Sequence, residues 1–83
     1  MGRPDEPQPA LGKAIRQLRE KRGVTQEALA YEAGVTVGTL SLIERGKSNP
    51  AWGTVKAIAA ALGVSLVDLT KSEQENEKSG RPV

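Results

Sequence analysis

The chain has 83 residues with neither Cys nor His, which allows one small domain and excludes disulfides, thiolate or imidazole metal sites and the commonest general base. Its 12 Lys and Arg against 10 Asp and Glu leave a net charge of +2, a mild excess that permits a nucleic-acid partner without requiring one. With no Cys, no apolar run near the ~18 residues that span a bilayer and no hydrophobic stretch within Met1–Pro9, the expected location is the cytoplasm.

Residues 1–9, MGRPDEPQP, hold three prolines and no core-forming side chain, so a disordered arm is expected there. Arg3 could reach a minor groove, but Asp5 and Glu6 beside it argue for a plain leader. Residues 71–83 carry three charges of each sign and one apolar residue, a composition that cannot bury enough surface to order itself. The domain is therefore placed at residues 10–70. It holds eight basic and five acidic side chains, so the folded part is the basic part.

Helices separated by glycine follow in order. Leu11, Ala14, Ile15 and Leu18 recur at helical spacing, with Lys13, Arg16, Gln17 and Glu20 on the other faces, and Gly23 after Lys21-Arg22 is a stop. Arg16 and Arg22 are expected in solvent, the lesser alternative being a phosphate contact. A second helix opens at the N-cap Thr25, with Glu27 in its first turn, carries Leu29, Ala30 and Ala33 inward and ends at Gly34. A third opens at Thr36, turns Leu40 and Ile43 inward and stops at Gly46. Lys47-Ser48-Asn49-Pro50 is a turn. A fourth covers Trp52 to Leu62 with Val55, Ile58, Ala59 and Leu62 inside. Trp52 is expected in the core. Ser65 to Asp68 has the form of a capping box opening a short fifth helix through Leu69. No alternating stretch of useful length occurs, so the class is all-α.

Two short helices meeting across Gly34-Val35-Thr36 form a helix-turn-helix pattern. Gly34 supplies the positive φ of the turn, Ala30 is small where the helices cross, and Leu29, Ala33, Val35, Leu40 and Ile43 are apolar at the positions that should be buried. The segment TQEALAYEAGVTVGTLSLIERGKSNP resembles the helix-turn-helix of the Cro/C1-type (XRE-like) regulators, and the resemblance runs from about Leu11 to about Leu69. Thr25-Gln26-Glu27-x-Leu29-Ala30, Gly34-Val35-Thr36 and Ile43-Glu44-Arg45-Gly46-Lys47 carry it. It implies a five-helix, lambda-repressor-like domain, a two-fold homodimer and operator DNA as ligand, with no cofactor or small-molecule effector evident.

The resemblance places the third helix in the major groove, with Thr36, Val37, Gly38, Ser41 and Leu42 facing the bases. Many relatives place Gln, Arg, Ser or Asn at the positions of Val37, Gly38 and Leu42. Val, Gly and Leu cannot make a bidentate contact to guanine or adenine, so Val37 and Leu42 are expected against thymine methyls, with DNA shape supplying much of the specificity. The alternative is that both bury against a neighbouring helix. Gln26, Thr39, Arg45, Lys47, Ser48 and Asn49 are expected on phosphates, and the resemblance also has Gln26 brace the third helix. Glu44 would repel phosphate, so it needs a structural reason, and the resemblance pairs it with Arg19 in a salt bridge. Leu66, Val67 and Leu69 are expected at the dimer interface, the alternative being that they cap the core of one protomer. With no His or Cys, no paired carboxylates on one helix face and no phosphate-cradling glycine loop, an enzyme is not expected. The rival function is a protein-interaction module of the same fold, an antitoxin subunit or a coactivator bridge.

Overall fold

The computed structural model describes residues 8–69 and 71. Four helices run Pro9–Lys21 (α1), Gln26–Ala33 (α2), Val37–Glu44 (α3) and Trp52–Leu62 (α4). Residues 66–69 form a short fifth (α5), and no strand occurs among the described residues.

Local chemistry accounts for the ends of these helices. Thr25 and Thr36 cap α2 and α3: Ala28 N–H donates to Thr25 Oγ1 (3.1 Å) and Thr39 N–H to Thr36 Oγ1 (3.0 Å). At Ser65 the capping box is reciprocal, with Asp68 N–H donating to Ser65 Oγ (3.0 Å) and Ser65 N–H to Asp68 Oδ2 (3.4 Å). At the end of α2, Val35 N–H reaches Ala30 O and Gly34 N–H reaches Tyr31 O, the two bonds of a Schellman cap. They require Gly34 in the left-handed region, at φ 73°. The same bond pattern closes α1, α3 and α4, so each chain reversal begins with a satisfied helix end.

The amphipathic stripes meet in one core, whose largest fully buried side chains are Ile15, Leu29, Leu40, Ile43, Ile58 and Leu69. α2 packs mainly on α4, and α1 on α3. The second contact is close because Gly12 has no side chain: a methyl built there would land on the carbonyl oxygen of Ile43. At the same end Gln8 N–H donates to Ser48 O (3.2 Å), tying the start of the domain to the loop after α3.

Among the described residues Glu44 is the buried charged side chain. Arg19 grips it with two bonds, Nε to Oε2 (2.8 Å) and Nη2 to Oε1 (3.1 Å), and its Nη1 donates to Val24 O (2.9 Å). Gln26 Nε2 also donates to Glu44 Oε1 (3.1 Å). One carboxylate thus joins α1, α2 and α3. The hydrogen bond to Glu44 holds the Arg19 guanidinium above its usual pKa, with burial opposing it.

Three expectations are corrected. Pro9 belongs to α1 rather than to an arm, because proline at the first helical position is already set at a helical φ and its missing N–H would have no partner there. Trp52 is 64% exposed. It begins α4 beyond the end of the core, on the rim of a groove shared with Leu11, Val55, Leu66 and Leu69. Leu69 is 2% exposed, buried in its own protomer's core because α5 lies across that end of the bundle. It has no surface left for a partner. Residues 1–7 and 72–83, read as arm and tail, lie outside the described residues; Lys71, counted with the tail, is helical.

Gly12→Ala should destabilise the domain by about 1–3 kcal/mol, the reverse of the usual gain from replacing glycine inside a helix, because the added methyl forces α1 from α3. Urea denaturation measures it, and a raised midpoint would show that the two helices are not held at this separation. Glu44→Ala should lower stability by about 3 kcal/mol, since it leaves Arg19 Nε and Nη2 and the Gln26 amide without their acceptor. An unchanged urea midpoint would show that the triad does not hold the helices together.

Candidate nucleic-acid interface

α3 is short and two-sided. Leu40, Ile43 and Glu44 turn into the protein, leaving Thr36, Val37, Gly38, Thr39 and Leu42 exposed and Ser41 half-buried. Val37 is 39% and Leu42 44% exposed, so neither is buried by a neighbouring helix, which was the alternative reading. The exposed face carries no acidic side chain, because the one carboxylate of α3 is turned inward and paired.

The hydroxyls on this face are ordered by the helix cap. Thr36 Oγ1 accepts from Thr39 N–H and donates to Thr39 Oγ1 (2.9 Å). That leaves the Thr39 hydroxyl proton to be donated outward. Gly38 is open: a methyl there would touch only Thr36 Oγ1, at an ordinary 3.9 Å, and its φ is not positive. Among the described glycines only Gly38 and Gly53 lack both a steric and a conformational need, and Gly38 is the one on the exposed side of α3. Glycine in a helix interior costs about 1 kcal/mol relative to alanine, and nothing inside the protein offsets that cost at Gly38.

Cations border the face. Arg45 and Lys47 are exposed where α3 ends, Asn49 is exposed and Ser48 half-buried in the following loop. Arg45 Nε reaches back to Ser41 O (3.4 Å), which leaves the end of its guanidinium outward. On the other border Gln26 is the first residue of α2, its side chain oriented by the bond to Glu44. Between the borders lies an open cleft of about 320 Å³ lined by Arg16, Arg19, Gln26, Ser41, Glu44 and Arg45. With Glu44 neutralised by Arg19, the remaining formal charge of that cleft is positive.

Arg16 is exposed as expected, and it shares the cleft with Gln26 and Arg45, a placement that fits the lesser alternative of a phosphate contact. Its spacing of three from Arg19, which puts both on one side of α1, was the available signal. Its surface ion pair with Glu20 (3.4 Å) is exposed and weak. That Gln26 braces α3 was expected from the resemblance; the structure supplies the atom it holds, Glu44 Oε1, 18 residues away. Among the described residues no His, Cys, Asp or Glu cluster could hold a metal ion, and no helix is long and apolar enough to cross a membrane.

Residues 10–71 match the model of a helix-turn-helix domain family. The HTH-type transcriptional regulator y4dJ of Sinorhizobium fredii is 38% identical over 65 residues, covering 78% of this chain and 84% of that protein. The immunity repressor of Bacillus phage phi105 is 35% identical over 63 residues, 76% of this chain and 44% of that protein. The chain thus spans less than half the length of some longer curated relatives. Among solved structures, the clp gene regulator ClgR from Corynebacterium glutamicum superposes with a TM-score of 0.85 at 32% identity, over 87% of this chain and 77% of that one. The restriction-modification controller protein C.AhdI from Aeromonas hydrophila superposes at 0.71 and 30% identity, over 74% and 92%. In sequence and in fold, the chain belongs to the Cro/C1-type (XRE-like) helix-turn-helix family of transcriptional regulators.

Proposed function

We propose that this regulator binds a palindromic operator as a homodimer in the cytoplasm, with α3 of each protomer in the major groove. The observation that carries this reading is the exposed face of α3, free of acid, bordered by Arg45 and Lys47 and by the Gln26 end of α2. In that pose Thr36, Val37, Gly38, Ser41 and Leu42 meet base edges, Val37 and Leu42 lying on thymine methyls. Gln26, Thr39, Arg45, Lys47, Ser48 and Asn49 meet phosphates, fixing register and supplying affinity without reading sequence. Arg16 adds charge to the same phosphate path. Gly38 lets the helix backbone approach the groove floor more closely than a side chain would allow.

An eight-residue helix spans only a few base pairs, so a second copy is what would make a site selective. Val67, 62% exposed, and the open part of Leu66 are the surfaces left for that contact once Leu69 is assigned to the core. α3 offers no Arg, Asn or Gln to bases, so groove shape and deformability share in the selection.

Selection from random duplexes should enrich a two-fold site with half-sites about one helical turn, ~34 Å, apart. Affinity for it should fall steeply with salt, and Lys47→Ala, which removes one phosphate contact from each protomer, should make that slope shallower by about two. Enrichment of no site, with weak binding to every duplex, would refute the DNA reading and leave the apolar face of α3 to a protein. Gly38→Ala should separate stability from binding: the urea midpoint should rise by the equivalent of about 0.5–1 kcal/mol while operator affinity falls at least severalfold. Unchanged affinity would remove Gly38 from the interface.

A further inference from the structure

We infer that the α3 face reads the C5 methyl group of a pyrimidine rather than the identity of the base, so that 5-methylcytosine serves in place of thymine and cytosine methylation of the operator controls binding. The inference rests on the DNA-binding function proposed above and concerns what that site selects.

In the major groove thymine shows a carbonyl acceptor and a C5 methyl, whereas cytosine shows an amino donor and no methyl. The polar readers that α3 and its cap can offer are the hydroxyls of Thr36, Thr39 and the half-buried Ser41. A hydroxyl both donates and accepts, so it meets either group and separates neither. Nothing on α3 makes the paired bonds that distinguish adenine from guanine on the opposite strand. What remains is carbon: Val37 and Leu42, 39% and 44% exposed, on either side of the bare backbone of Gly38. Leu42 lies four residues after Gly38, on the same side of the helix, and the space a Gly38 side chain would fill is open beside it. A methyl group set there loses its water against carbon, while a hydrogen leaves the space unfilled. 5-Methylcytosine carries that same methyl at the same ring position.

Surface charge fits this occupant. The face itself is neutral and apolar, and the cations stand at its edges on Arg16, Arg45 and Lys47. A protein's apolar patch would gain nothing from that border, whereas a duplex presents its methyls at the groove floor and its phosphates along both rims.

The test uses the full chain and its selected operator. Each thymine is replaced in turn, symmetrically in both half-sites, to give four duplexes that differ at one position: T·A, U·A, 5-methylcytosine·G and C·G. At the position under α3, the two methylated duplexes should bind alike, within about twofold. The two lacking the methyl should bind about fourfold more weakly per half-site, the effect of one buried carbon group. Leu42→Ala and Val37→Ala should shrink that difference toward one while leaving the salt slope of binding unchanged. If uracil binds as thymine does at every position, or if affinity follows the base pair and not the methyl, the inference is overturned and the DNA-binding function stands. If no duplex is bound with salt-dependent selectivity, the function falls and the inference with it.

Discussion

The arrangement of this domain depends on where one carboxylate is kept. Glu44 sits at the end of α3, where an exposed acid would repel DNA, yet it is turned inward and gripped by Arg19 of α1 and Gln26 of α2. A buried charge is tolerable only when its partners satisfy it, and the Arg19 fork with the Gln26 amide does so. The same bonds fix how α3 lies against the helices behind it. Arg19 also holds the Val24 carbonyl, so the link into α2 is set by the side chain that sets α3.

That constraint orders the outer face in turn. With the acid withdrawn, the exposed side of α3 holds hydroxyls, carbon and a glycine, and positive charge remains only at its borders. Gln26 is oriented toward the cleft because its amide is held by Glu44, and the Thr36–Thr39 pair is oriented by the helix cap. Gln26, Thr36 and Thr39 thus need little further ordering to meet a ligand, which lowers the cost of binding. The close approach of α1 to α3 at Gly12 supports the same face from behind.

The local elements were legible because their causes are local. Thr25, Thr36 and the Ser65–Asp68 pair act on backbone groups within three residues, and Gly34 acts on its own φ. The Arg19–Glu44 pair came from family resemblance, and the structure supplies its geometry. Trp52 and Leu69 were misplaced together: both line the groove at one end of the bundle, and which of two apolar residues is buried there depends on tertiary packing that no local pattern fixes. Arg16 was underrated because charge on a helix shows no direction until the neighbouring helices are placed.

By itself the sequence determined the helices, their caps, the turn between α2 and α3 and the family, since each rests on short-range periodicity or on a compact pattern. Only the tertiary structure decided that Gln26 shares the Glu44 carboxylate, that Gly12 is required by contact while Gly38 is not, and that Leu69 belongs to the core and Trp52 to the surface. These facts join residues far apart in the chain or depend on space left between packed helices. Such relations have no period and no motif, and they exist only once the core has closed.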